Sequence, residues 1–226
     1  KDAVRWNHET FPALSLYVGG NYFLQYYNWE EAKDWVSLAE VCLDPTRECF
    51  KSADDAGGYQ CLALNHTAVY SLFRGDLRYF TSDNAHKSAD LAVSLIDNLG
   101  NQTSHGDCGF SPKIGNALPV LLRAAWYYKD GEYQWIAENY GNLEKFYAVY
   151  LGSVARDAPI CFSDVKPVRP KRFLGVKGIL LDPKVYDFTS SPRSRYPTKP
   201  NVPLEKSFDK LTFRSSFDAS KQYLLL

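Results

Sequence analysis

The sequence has no methionine, no long apolar segment and no excess of charge of either sign. Its 26 basic residues balance its 26 acidic residues, so the formal net charge is zero. This balance argues against nucleic acid as a partner, because nucleic-acid-binding proteins use a basic surface to displace counterions from phosphates. The longest apolar run, residues 118–128, contains Arg123 and is too short to cross a bilayer. We therefore expect neither a nucleic-acid partner nor a membrane-spanning segment.

Methionine is missing even from position 1, where Lys1 stands, and the chain stops at Leu226 within an apolar run typical of a strand interior. We interpret the sequence as a fragment of a longer protein, with residues missing internally as a further hypothesis. Part of the active site would then lie beyond Leu226.

Cysteine is scarce and shows no C-x-x-C pair or zinc-ligand spacing. We expect buried thiols, with one disulfide left open. Aromatic residues are abundant, with 16 tyrosines and 5 tryptophans. Such residues fill large helical cores, and they also line clefts that stack on sugar rings. Composition does not separate these two uses. The cysteines are Cys42, Cys49, Cys61, Cys108 and Cys161.

Apolar residues recur at helical spacing through most of the chain, with short polar breaks between segments. Pro12 suits the first turn of the first helix, and Gly100 suits the end of another. Helix pairs without strands between them indicate a stack, a bundle or a toroid. The predicted helices cover residues 11–27, 29–41, 59–73, 87–99, 113–128, 132–140 and 142–151.

The pattern changes after Cys161, where prolines and basic residues recur up to Pro203. Residues 210–217 then alternate in polarity, residues 218–220 form a turn signal, and a further apolar run begins at Gln222. This pattern predicts a linker followed by a β-hairpin. Two strands alone are marginally stable in water, so we expect the rest of the sheet beyond the chain.

Three stretches in order carry a family resemblance: residues 6–12 (WNHETFP), residues 106–131 with their Gly-Asp-Cys-Gly-Phe loop and Lys-Asp-Gly turn, and residues 208–226 (FDKLTFRSSFD running into YLLL). The chain resembles the heparinase II/III-like polysaccharide lyases and, more remotely, dermatan sulfate epimerase. The resemblance implies a mainly α fold. An incomplete (α/α) toroid of helical hairpins would cover residues 1–163, and residues 164–226 would form a linker and the first strands of an antiparallel β-sandwich domain.

The resemblance also implies a lyase that cleaves a uronic-acid-containing polysaccharide by β-elimination, in the periplasm or after secretion. Such an enzyme neutralises the sugar carboxylate with hydrogen-bond donors, and a Tyr or His removes the C5 proton. On this basis His8 is a catalytic candidate, and Asn7 and Trp6 are substrate-binding candidates. The N-terminus of the helix that follows would favour a carboxylate. The partner would be an acidic polysaccharide or oligosaccharide; the oligomeric state is left open.

In the family a catalytic Tyr follows on the next helix of the cleft, a few residues after a Gln or Glu. Here Gln60 is followed by Asn65 and His66 instead of Tyr, which departs from the pattern. Either Tyr59 or Tyr70 takes the catalytic role, or Asn65 and His66 line the cleft in its place. Gln60, Asn65 and His66 are therefore substrate-binding candidates. Positions 59, 66 and 70 share a helical stripe, so these side chains are expected to face the same way.

Three further substrate-binding candidates are His105 and Asp107, in the glycine-rich loop, and Arg214, in the first predicted strand of the hairpin. The sequence shows no metal ligands and no cofactor motif. The resemblance leaves room for a structural divalent metal, and for a second catalytic His, in the β domain after Leu226.

Three alternatives remain open. A glycoside hydrolase on a similar toroid needs two separated carboxylates, and only Asp107 is well placed. A uronate epimerase shares the proton removal with a lyase. A non-catalytic glycan-binding or scaffold relative is favoured by the missing Tyr after Gln60.

Overall fold

The computed structural model describes residues 6–54, 56–109, 113–143, 164–185, 203 and 206–226. Within these residues the chain is mainly helical, with a small sheet formed by segments near the C-terminal end. The helices are α1 (Asn7–Tyr27), α2 (Ala32–Leu43), α3 (Gly57–Arg74), α4 (Arg78–Thr81), α5 (Asn84–Ser94), α6 (Ala117–Tyr128) and α7 (Gly131–Tyr140), and a 3₁₀ turn covers Pro45–Glu48. The strands are β1 (Gly175–Leu180), β2 (Phe208–Arg214) and β3 (Tyr223–Leu225).

The chain forms two compact units. Each unit takes segments from both sides of position 163. The domain boundary expected at that position remains a prediction. Unit 1 consists of Lys1–Asp55, Tyr59–Ser88 and Leu180–Asp209, and unit 2 consists of Ala56–Gly58, Ala89–Ile179 and Lys210–Leu226.

Unit 1 is built on the hairpin of α1 and α2. The two helices approach closely at Gly20, where an added Cβ would lie 2.7 Å from Cγ2 of Val36. At the end of α1 the chain reverses through Asn28, whose φ of 50° lies in the left-handed region that Asn tolerates. The rings of Tyr17 in α1 and Tyr70 in α3 meet edge to face, with centroids 4.8 Å apart. The buried core of this hairpin consists of Ala13, Tyr17, Ala39, Leu43 and Tyr70.

Unit 1 also contains a buried ion pair. Nζ of Lys51 lies 2.5 Å from Oδ2 of Asp209, and the two side chains are 1% and 5% exposed. Lys51 belongs to the connection between the 3₁₀ turn and α3, and Asp209 lies in β2. Burying both charges carries a desolvation cost that their close mutual contact helps to offset. This pair therefore joins segments far apart in sequence.

In unit 2, α6 and α7 are joined by a tight turn at Lys129, and α7 begins with a side-chain cap. Oδ1 of Asp130 accepts hydrogen bonds from the backbone N–H groups of Glu132 and Tyr133, at 2.8 and 3.3 Å. Such a cap satisfies donors that have no partner within the helix. Arg172 in turn donates a 2.6 Å hydrogen bond to Asp130 and thereby connects the segment before β1 to this turn.

The sheet has the order β1-β2-β3, and β2 pairs with β3 in antiparallel fashion, with Phe213 opposite Leu224. The antiparallel hairpin predicted from the sequence is therefore confirmed. Arg214 of β2 is buried, and its guanidinium donates to Oδ1 of Asn98 at 2.5 Å and to the carbonyl of Ile96. These bonds anchor the hairpin to the segment after α5, within unit 2.

The burial of Tyr223 in β3 predicts a pH dependence of stability. Burial raises the pKa of Tyr223 to about 12, and its hydroxyl donates a 2.6 Å hydrogen bond to the carbonyl of Ser94. Because the folded state favours the neutral phenol, this contribution to stability is complete below the ordinary tyrosine pKa of about 10 and is lost as the pH rises through the folded value. Denaturant titrations should therefore show a steeper fall in the free energy of unfolding over this range for the wild type than for Tyr223→Phe.

Tyr22→Phe is the control for this experiment, because Tyr22 is exposed. We expect its alkaline profile to match that of the wild type. If Tyr223→Phe also follows the wild-type profile, the burial of this phenol does not contribute to alkaline unfolding.

Six of the seven helices expected from the sequence are present in the described residues, but several begin or end elsewhere. The first begins at Asn7 rather than at residue 11, because the extended residue Trp6 is its N-cap and Glu9 accepts a 3.3 Å hydrogen bond from the Trp6 N–H. Pro12 consequently lies inside α1 instead of in its first turn. Because proline has no N–H, the carbonyl of His8 lacks its usual helical partner.

Two other helix boundaries differ from the prediction by four or five residues. Helix α5 ends at Ser94, not at residue 99, because Oδ1 of Asp97 accepts the backbone N–H groups of Leu99 and Asn101, each at 2.8 Å, and turns the chain. Helix α6 begins at Ala117 rather than at residue 113, because residues 113–115 have positive φ and form a left-handed turn.

Two elements were missed. The sequence did not indicate the short helix α4, nor did it identify β1 as a third strand, since β1 lies within the predicted linker. The last predicted helix lies outside the described residues after position 143. No described helix has the length and apolar character needed to cross a membrane.

Candidate functional site

The predicted Asn7–His8 corner is the first turn of α1, in unit 1. Asn7 is buried, and its backbone N–H donates a 2.7 Å hydrogen bond to Oδ2 of Asp54, which is buried as well. His8 is exposed and Trp6 is half-buried. A helix N-terminus attracts an anion, and here the protein supplies one itself. The carboxylate of a substrate would therefore have to bind beside Asp54 rather than at the Asn7 N–H.

His66 of α3 is brought to this corner by contacts with α1. Nδ1 of His66 lies 2.9 Å from Oγ1 of Thr10, and its ring centroid lies 5.6 Å from that of Phe11. His66 and Thr10 are buried, whereas Phe11 is exposed. A hydroxyl on one imidazole nitrogen fixes the orientation of the ring and the tautomer that it adopts. His66 is thus held in a defined position by Thr10, which lies within one helical turn of His8 on α1.

The remaining candidates at the start of α3 differ in their surroundings. Tyr59 is 38% exposed and lies two helical turns before His66, on the same face of the helix. Asn65 is buried. Gln60 is fully buried, and neither Oε1 nor Nε2 of its side chain has a hydrogen-bond partner among the described residues. Tyr59 is therefore the tyrosine of this face that can reach a ligand from solvent.

Tyr70 does not share the exposure expected from its position on this stripe. It is fully buried, and its hydroxyl donates a 2.7 Å hydrogen bond to Oδ1 of Asp44 and accepts one from Arg74. Burial, together with the hydrogen bond to Asp44, raises the pKa of Tyr70. A tyrosine with these contacts is a core residue of unit 1, and we do not include it in the proposed site. Its position follows from the packing of α1, α2 and α3.

His105 and Asp107 belong to unit 2, where their loop approaches Gly57 and Gly58, the first residues of α3, which belong to the same unit. The two glycines that begin α3 permit this approach: an added Cβ at Gly57 would lie 2.8 Å from the carbonyl oxygen of Thr103 and 3.3 Å from Cε1 of His105. Asp107 is exposed. Since these residues and His8 belong to different units, a joint role in one site stays a prediction.

Arg214 is buried in unit 2, with its guanidinium 4.3 Å from the ring centroid of Phe217 and 4.6 Å from that of Tyr223. The structure gives this side chain a role in anchoring the hairpin, so we leave it out of the proposed substrate contacts. In the described part of the chain, no group of three or more His, Cys, Asp or Glu side chains is placed to hold a metal ion.

Sequence reasoning missed the partners of this corner, Asp54 and Thr10. A signal for Thr10 was present, since a residue three positions after Asn7 lies on the same face of a helix. No local signal pointed to Asp54, because its contact with Asn7 joins residues 47 positions apart.

The fold and this corner define a mainly helical protein with a small antiparallel hairpin and a buried, hydroxyl-bonded histidine. Compared with models of known protein families, with curated proteins and with solved structures, the chain gives no match.

Proposed function

We propose that the chain is part of a polysaccharide lyase that cleaves a uronic-acid-containing polysaccharide by β-elimination. The observation that carries this proposal is the contact between His66 and Thr10 beside the exposed His8, with Tyr59 on the same face of α3. An oriented imidazole, an exposed imidazole and an accessible phenol are the groups that such a reaction requires.

In the proposed reaction, His8 donates a hydrogen bond to the sugar carboxylate, which makes the neighbouring C5 proton more acidic. Tyr59, as its phenolate, accepts that proton as the C5–H bond breaks. The electron pair of that bond forms the double bond between C4 and C5, the C4–O bond breaks with its electron pair on the leaving oxygen, and that oxygen takes up the proton that Tyr59 then carries. His66 and Thr10, which are buried, hold the first turn of α1 that carries His8. An acidic polysaccharide of this kind implies a periplasmic or secreted enzyme.

The experiment is a direct assay of the whole protein with a panel of acidic polysaccharides. We expect a rise in ultraviolet absorbance from the unsaturated uronate product with at least one of them. No rise with any polysaccharide would refute the lyase proposal. Incorporation of solvent deuterium at C5 without a rise in absorbance would indicate an epimerase, because that activity removes and returns the same proton.

A second candidate is a non-catalytic glycan-binding relative. It is favoured by the Asp54 carboxylate at the N-terminus of α1, which occupies the place best suited to a substrate carboxylate. If this alternative is correct, the protein binds an acidic polysaccharide but forms no unsaturated uronate product.

A further inference from the structure

Six aromatic side chains form one cluster where α1 turns into α2. They come from the last two turns of α1, from the connection, and from the first turn of α2. Tyr22, Tyr26, Tyr27 and Trp29 are 49%, 64%, 64% and 42% exposed, whereas the other two are half-buried. We call this cluster the aromatic patch, and it consists of Tyr22, Phe23, Tyr26, Tyr27, Trp29 and Trp35.

The rings of the aromatic patch are in continuous contact. Tyr22 lies 5.0 Å from Tyr26 and 5.8 Å from Tyr27, measured between ring centroids. Phe23 lies 5.2 Å from Trp29, and Trp29 lies 5.1 Å from Trp35. The rings are tilted or edge to face rather than stacked, so several ring faces remain turned away from one another. Exposed contiguous aromatic surface of this kind marks interaction sites in proteins.

The charge around the patch is negative. Between Trp29 and Trp35 the chain carries Glu30, Glu31 and Asp34, against the single cation Lys33. Nζ of Lys33 lies 2.5 Å from the carboxylate of Glu30. Glu31 and Asp34 are exposed and form no ion pair with any residue that the structure describes. Two carboxylates thus remain available beside the rings.

We infer that the aromatic patch is a docking surface for a basic, arginine-rich polypeptide segment of a partner protein. Arginine guanidinium groups stack on the faces of Trp and Tyr rings and pair with carboxylates, so one side chain can use both features. The rings of the aromatic patch and the carboxylates of Glu31 and Asp34, which we call its acidic rim, offer both kinds of contact within a few residues. This inference is independent of the lyase proposal, because no residue of the α1–α3 corner takes part.

The negative charge of the acidic rim disfavours other classes of ligand. An acidic polysaccharide or an anionic lipid surface would be repelled by the carboxylates, and a neutral sugar would gain nothing from them. Complementary charge would instead speed the encounter with a cationic segment and make the binding sensitive to salt.

The test is the binding of a fluorescently labelled oligoarginine peptide to the whole chain, measured by anisotropy at two salt concentrations. Tyr26→Ser/Tyr27→Ser removes the most exposed rings, and we expect it to weaken binding about tenfold, the loss of roughly two exposed cation–π contacts. Glu31→Gln/Asp34→Asn should weaken binding at low salt and reduce its salt dependence.

Controls use matched positions outside the patch. Phe73→Ala removes an exposed ring of α3, and Glu138→Gln removes an exposed carboxylate of α7; neither should change the affinity. Trp29→Tyr, which keeps a ring at the patch, should retain most of the binding. Equal affinity in all variants, or no binding of the peptide by the wild type, would overturn the inference. So would patch-dependent binding of oligoglutamate, of a neutral oligosaccharide or of anionic vesicles in place of the oligoarginine.

Discussion

Replacing Lys51 with methionine is expected to lower the free energy of unfolding by about 3–5 kcal/mol, because the substitution leaves the buried carboxylate of Asp209 without this cation. The expectation follows from the nearly complete burial of both partners and their 2.5 Å separation. Urea denaturation followed by circular dichroism measures it as a lower midpoint at an unchanged slope.

The matched control is Lys33→Met. Its ion pair with Glu30 has the same 2.5 Å separation, but the side chains are 63% and 72% exposed. An exposed pair contributes only about 0–1 kcal/mol, so this variant should be nearly as stable as the wild type. The double variant Lys51→Met/Asp209→Leu should regain most of the loss, because it buries no unpaired charge. Equal losses for Lys51→Met and Lys33→Met would show that burial does not determine the contribution of this pair.

In the lyase assay, Tyr59→Phe is expected to reduce kcat by about 10²–10⁴-fold, the usual contribution of a group that transfers a proton in the transition state. His8→Ala should cause a loss of the same order, because the sugar carboxylate would lose its donor. Thermal denaturation should give nearly wild-type midpoints for both variants, since both side chains reach the surface.

Tyr70→Phe makes the same chemical change in the core and is the control for Tyr59→Phe. It removes the hydroxyl that bonds to Asp44 and Arg74, so it should lower stability by about 1 kcal/mol while kcat of the folded enzyme is retained. A loss of kcat in Tyr70→Phe but not in Tyr59→Phe would reverse our assignment of the two tyrosines. If His8→Ala turns over as fast as the wild type, His8 has no place in the mechanism.

The helical part of the fold was largely predictable because helix formation depends on residues that are close together in the sequence. Apolar spacing identified the hairpin of α1 and α2, and the Asp130 turn between α6 and α7 was visible as an acidic-glycine break. The helix boundaries that differ from the prediction depended on hydrogen bonds from residues outside the helix or on backbone with positive φ. Asp97, for example, ends the region of α5 by accepting N–H groups from the following turn, and Ile114 adopts a positive φ that its β-branched side chain disfavours.

The site was only partly predictable. His8 and Tyr59, which the sequence proposes as catalytic candidates, lie at the surface of unit 1, where a ligand can reach them. Helical periodicity placed Tyr70 on the same stripe as Tyr59, but it could not show that α2 covers this part of the stripe. Likewise, strand alternation could not show that Arg214 points to buried carbonyl groups rather than to solvent.

By itself the sequence determined the mainly helical character, the antiparallel hairpin at the C-terminal end and the residue types available for chemistry. These properties depend on periodicity and on residues near one another in the chain. Only the tertiary structure decided that Asp54 occupies the N-terminus of α1, that Thr10 holds His66, and that Lys51 meets Asp209. Each of these contacts joins segments separated by at least 47 residues, so burial and charge pairing, rather than local spacing, select it.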